Sequence, residues 1–171
     1  MFNRVLTSLV FILLLTNLSG CLLFSASPSK LQKAEELSRQ KKYPEAIAVY
    51  HQHMEERLAV KDRPEWENPY FYYILIGDIE LGTDKPEDAL KSYMEADQKG
   101  VDAYLVADRF RSVARWYEDK GELDKAIALL LAHREKDPLL FEAMLDRLNK
   151  TKTIQEDMKS KPIISGKTNG K

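Results

Sequence analysis

The sequence predicts an all-α protein, an α-α superhelix of about three helix pairs closed by a C-terminal capping helix. Three observations carry that expectation. Helix start and stop signals punctuate residues 28–150 at short intervals. One motif returns three times along the chain. No segment alternates apolar and polar residues for long enough to form a strand. With 7 glycines and 7 prolines in 171 residues, the chain is also poor in the turns that an all-β fold needs.

The elements follow from the punctuation. Ser27-Pro28 and Asn68-Pro69 each place a capping side chain before a proline suited to the first helical position. Asp84 ahead of Lys85-Pro86 is a similar start, and Asp102 can cap the segment 103–119. Gly82, Gly100 and Gly121 fall where helices should stop, and Asp137-Pro138 ends another. These signals predict helices at about 28–41, 44–60, 69–82, 85–99, 103–120, 122–136 and 139–150, with a weaker extension to about 158. Lys159 to Lys171 is rich in Lys, Gly and Ser and reads as a disordered tail.

Self-similarity shows how the helices pair. Ala46, Ala89 and Ala126 each have an aliphatic neighbour and a large apolar residue four positions on: Tyr50, Tyr93 and Leu130. Twelve positions before these alanines stand Ala34, Gly77 and Ala114, all small. Two antiparallel helices approach closely only where both present a small residue, and the large residue one turn on fills the gap beside them.

This pattern resembles the tetratricopeptide repeat. In the second copy Tyr73, Ile76, Gly77, Ala89, Tyr93 and Ala96 fall on the family's aromatic, aliphatic, glycine, alanine, aromatic and alanine positions. The third copy offers Phe110, Val113, Ala114, Tyr117, Ala126, Leu130 and Pro138. The first offers Ala34, Leu37, Ala46 and Tyr50. The resemblance covers residues 28–138 and departs in spacing: the alanines lie 43 and then 37 residues apart, against a family period of about 34. The excess after the first copy lies in a longer helix and the loop 62–68.

The N-terminus is of another kind. Arg4 supplies a positive start, and Val5 to Leu15 is apolar except for Thr7 and Ser8. Such a run spans about 16 Å as a helix, short of the ~30 Å core of a bilayer, which is the shape of a secretory signal. Leu18-Ser19-Gly20-Cys21 resembles the lipobox of bacterial lipoproteins. The resemblance implies cleavage between Gly20 and Cys21, acylation of Cys21, and attachment to a membrane through the acyl chains. Leu22 follows in place of the aspartate that retains such proteins at the inner membrane, which favours the outer membrane, facing the periplasm. Residues 1–20 are then signal peptide, 21–28 a lipidated tether reaching about 25 Å, 29–150 the repeat domain, and 151–171 a partly helical and then disordered tail.

Little in the sequence suggests catalysis. Formal net charge is −1, which gives no basic footprint for nucleic acid. The single cysteine is used by the anchor, and no serine sits in a Gly-x-Ser-x-Gly turn. His51 and His53, two apart on a helix, point in opposed directions and cannot share a metal. His53 and His133 both follow a repeat alanine by seven residues, which the repeat resemblance implies is a packing position. Ser165-Gly166-Lys167-Thr168 lacks the glycine that a phosphate loop needs five residues before Gly166. Phe71, Tyr72, Tyr73, Trp116 and Tyr117 read as core packing at helical spacing. No enzyme, cofactor or metal site is expected.

Binding remains. The repeat resemblance implies a groove along the first helix of each pair, with Ile74, Asp78 and Leu81 in copy two and Arg111, Arg115 and Glu118 in copy three. Arg111 and Arg115, four apart, share a helix face and suit an acidic segment or a carboxylate, unless they pair with acids such as Asp108 and Asp119. The exposed-looking loop around Trp66 is a further possible contact. The expected function is a membrane-anchored adaptor or scaffold of the bacterial cell envelope, binding a protein or peptide, for instance in assembling an outer-membrane complex. The alternatives are an enzyme or accessory of peptidoglycan maintenance and a structural spacer.

Overall fold

The computed structural model describes residues 29–160. Seven α-helices follow one another: α1 (Lys30–Arg39), α2 (Tyr43–Leu58), α3 (Tyr72–Gly82), α4 (Pro86–Gln98), α5 (Ala103–Asp119), α6 (Leu123–Ala132) and α7 (Pro138–Ser160). Short 3-10 turns, Pro69–Phe71 and Arg134–Lys136, lead into α3 and α7. Among the described residues there is no strand. The helices pack as three pairs, α1/α2, α3/α4 and α5/α6, and α7 closes the open side of α6.

The repeated small residues sit where the pairs touch. Ala34, Ala46, Ala89, Ala114 and Ala126 are fully buried, and so are Tyr93 and Leu130. Gly77 lies so close to the Tyr93 ring that a Cβ there would stand 2.4 Å from Cε1. Each small pair lets two backbones approach, and the following large residue plugs the gap. One core runs through α3 to α7 (Ile74, Tyr93, Phe110, Val113, Leu130, Phe141, Leu148). A smaller one joins α1 and α2 to α3 through Ala34, Val49, Tyr50 and Ile76.

The turn inside each pair is built alike. Lys41, Asp84 and Gly121 all adopt positive φ, each five residues before its repeat alanine. In each case the next residue's N–H reaches back five positions: Lys42 to Leu37 O, Lys85 to Glu80 O, Glu122 to Tyr117 O. This is the helix-ending arrangement that glycine favours. Only the third copy uses glycine.

Several local expectations change. The first helix is capped by Ser29, whose hydroxyl accepts from Gln32 N while Ser29 N donates to Gln32 Oε1; Ser27-Pro28 lies outside the described residues. Asp84 does not cap α4: Lys85 holds the N-cap position, and the Asp84 carboxylate accepts from Trp116 instead. Asn68 and Asp102 do cap, accepting from Tyr70 N and Leu105 N. The sixth helix stops at Ala132 rather than near 136, and Asp137 caps the helix after it by accepting from Leu140 N. The last helix is one rod of 23 residues, about 34 Å long, and runs through Ser160 into the stretch read as tail. Residues 161–171 lie outside the described residues. Phe141, Met144, Leu145 and Leu148 hold its first half to the core, while Ile154 and Met158 on its second half are exposed.

Polar bonds tie each pair to the next. Arg57 grips Glu67 with two bonds of 2.6 and 2.5 Å, folding the α2–α3 linker back on α2. Asn68 donates to Lys99 O, Lys136 meets Asp97 at 2.7 Å, and Glu118 is paired with Arg147.

Candidate partner-binding face

The residues expected to line a groove lie on α3 and α5. Ile74 does not face outward: it is fully buried in the main core. Leu81 is half-buried against that core. Asp78 accepts from Tyr93 Oη at 2.9 Å and from Arg109 Nη2 at 3.1 Å. Arg109 also meets Asp108 at 3.0 Å, and Arg111 Nη2 meets Asp108 at 2.5 Å. Glu118 is held in a two-bond pair by Arg147 of α7. Arg115 is exposed and, among the described residues, makes no ion pair. The two arginines expected to act together are thus separated in role, since Arg111 is paired with Asp108 within the fold.

Electrostatics follow burial. Burial raises the Tyr93 phenol well above its ordinary pKa, and the neighbouring Asp78 carboxylate raises it further, so Tyr93 is a fixed hydrogen-bond donor. Burial works most strongly against the Arg109 charge, but the bond to Asp78 together with the charges of Asp78 and Asp108 outweighs it and lifts its pKa overall. Asp78, Arg109, Asp108 and Arg111 therefore form a charged chain that joins α3 to α5. That chain joins the second pair to the third, and Arg115 is not part of it.

The aromatics expected in the core divide. Tyr117 is buried and donates to Glu87 at 3.2 Å. Tyr72 stacks on Tyr50, and Tyr73 stacks on Tyr70. Trp116 donates to Asp84 at 3.0 Å, and this bond, followed by those to Lys120, holds the Asp84 carboxyl below the usual range. Phe71 is partly exposed.

The histidines are packing residues. His51 meets Tyr73 edge-on, and His53 bonds Tyr72 Oη at 2.9 Å. His133 stacks on Phe110 with ring centroids 4.1 Å apart. No group of three or more His, Cys, Asp or Glu among the described residues is placed to hold a metal ion. Burial pushes the His133 imidazole below its ordinary 6.5. Because the folded pKa is the lower one, the unfolded chain takes up the proton first as pH falls. The stability is fully present above the unfolded value and is lost on acidification through it, down to the folded pKa. His133→Phe, which keeps the stack on Phe110, should flatten the fall of Tm between about pH 7 and 5. Thermal melts across that range check it, and an unchanged slope removes His133 from the account.

Sequence reasoning left one concave feature undefined. A cleft of about 550 Å³ opens between the α2–α3 and α4–α5 linkers, lined by Trp66, Pro69, Phe71, Tyr72, Val101 and Leu105 among others. The linkers carry no periodic pattern, so only the tryptophan in a charged loop signalled it. Cys21 and Gly20 lie outside the described residues.

The fold and this face define a class: an all-α stack of three helix pairs with a capping helix, held by small-residue contacts and a charged chain between pairs. No described helix is long and apolar enough to cross a membrane. No protein-family model matches the sequence, and no curated protein is significantly similar to it.

Proposed function

We propose that the protein is a lipid-anchored adaptor of the bacterial cell envelope, a tetratricopeptide-like stack that holds an acidic protein segment against its α3/α5 face. The anchor part of the reading is supported by Arg4, the apolar run from Val5 and the string Leu18-Ser19-Gly20-Cys21. One observation carries the binding part. On a face where Asp78, Asp108, Arg109, Arg111 and Glu118 all have partners inside the fold, Arg115 has none among the described residues. An exposed guanidinium beside the paired charges offers a two-donor fork to a carboxylate.

Arg115→Glu tests this without touching the core. Affinity capture from detergent-solubilised envelope should lose the partner by at least about tenfold, since a like charge then faces the acidic segment. The melting temperature should stay within a few degrees of the original, because no internal pair is broken. Undiminished capture rejects the face. Arg111→Glu is the poorer probe, since it breaks the bond to Asp108.

A further inference from the structure

The linkers gather at one end of the stack. Lys30 at the start of α1 meets Glu56 near the end of α2. Asn68 of the α2–α3 linker donates to Lys99 O at the end of α4, and the cleft joins the same two linkers. Lys136 of the α6–α7 connection bonds Asp97. Ser29, where the tether enters, belongs to this end, and the tight turns at Lys41, Asp84 and Gly121 mark the other.

Exposed large hydrophobic side chains concentrate at the same end. Trp66 is 85% exposed, Leu139 81% and Tyr104 77%, and Val60, Phe71 and Leu140 are exposed beside them. Single apolar side chains on a surface are ordinary. Six of them at the ends and linkers of one side, two being Trp and Tyr, are not scattered. Trp and Tyr are the residues that favour the boundary between headgroups and acyl chains, where the ring is half-desolvated and its N–H or O–H stays wet.

We infer that this end rests on the bilayer, with Trp66, Phe71 and Tyr104 seated in the headgroup interface of a zwitterionic phospholipid surface. The inference depends on the lipid-anchored reading above. The tether supplies the geometry: seven residues separate Cys21 from Ser29 and span at most about 25 Å. The linker end therefore meets the surface first, and the opposite end reaches it only if the whole body folds over. Charge selects the lipid. Lys61 and Arg63 alternate with Asp62 and Glu65, and Lys99 stands near Asp102. Such a mixed rim offers no excess of base to anionic headgroups, so attachment by this end is apolar and indifferent to salt.

The test uses the full chain with Trp116→Phe, made in bacteria, which leaves Trp66 as the sole tryptophan. The mass of its Cys21 peptide is read first, and the chain is then reconstituted into phosphatidylcholine vesicles. The expected result is a blue-shifted Trp66 emission, quenched about twofold by bromine on the upper acyl chain and unchanged between about 0.05 and 0.5 M salt. The unsubstituted chain gives a second measure, because Trp116 bonds Asp84 at the far end and should escape the bromine. An acylated Cys21 with a solvent-like Trp66 overturns the orientation and leaves the anchor standing. An unmodified Cys21 overturns the anchor and the orientation with it. Shielding of Trp66 that follows protein density rather than lipid shows a second copy covering this end, and overturns the inference as well.

Discussion

Cys21→Ser should abolish acylation outright: incorporation of an alkyne-palmitate label falls to background, and the N-terminal peptide keeps residues 1–20. The expected effect is all-or-none because the chemistry is. Transfer of a diacylglyceryl group needs the nucleophilic thiol, which a serine hydroxyl does not replace at neutral pH. Each buried CH₂ contributes roughly 0.8 kcal/mol, so one chain holds a protein reversibly and two or more hold it stably. Without them only the short apolar run from Val5 to Leu15 remains, and it is too short to span a bilayer core. The chain has one cysteine, so residual labelling at another thiol cannot confuse the result. Undiminished labelling of the serine variant would end the lipoprotein reading.

Gly77→Val should lower the melting temperature by about 5–10 °C, corresponding to a net loss of roughly 2 kcal/mol. Two effects compete. Replacing glycine inside a helix gains a few tenths of a kcal/mol to about 1 in helix propensity. Against that, even the first added carbon would stand 2.4 Å from Tyr93 Cε1 and 2.8 Å from Cδ1. The ring cannot withdraw. It is fully buried, and its hydroxyl donates to Asp78, which Arg109 holds from α5. Overpacking of a fixed neighbour costs typically 1–3 kcal/mol, more than propensity returns. The cause can be isolated by a cycle. In a Tyr93→Leu background, which removes the ring, the same valine should cost markedly less. Equal losses in both backgrounds would show that the ring is not what excludes a side chain at 77.

Packing was more legible than turns. The contacts at Ala34, Ala46, Gly77, Ala89, Ala114 and Ala126 were readable because they recur twelve apart, and recurrence is a signal that one chain can carry alone. The break inside each pair was readable, but the left-handed residue that makes the turn was readable only at Gly121. At the equivalent Lys41 and Asp84 the same left-handed backbone is imposed by the two helices that flank it, against local preference. That override hid the left-handed residue in both copies, although the helix breaks themselves were placed close to where they fall. The groove residues fared unevenly. Their position on α3 and α5 was what the repeat resemblance implied, but a resemblance says nothing of how far a helix rotates toward its neighbour in this chain. That rotation buried Ile74, and contacts from other helices engaged Asp78 and Glu118.

By itself, the sequence determined the helical class, the number of pairs and the small-residue contact points. Each of these is a local or periodic property of the chain. Tertiary structure alone decided which charges face inward and which outward. Asp78 with Arg109 lies 31 positions apart, Glu118 with Arg147 lies 29 apart, and no spacing rule joins them. It also brought the linkers, the cleft and the start of α1 to one end. The physical reason is that side-chain pairing between helices depends on the angle and register at which they stack. Those are set by the fit of whole surfaces, which no single segment encodes.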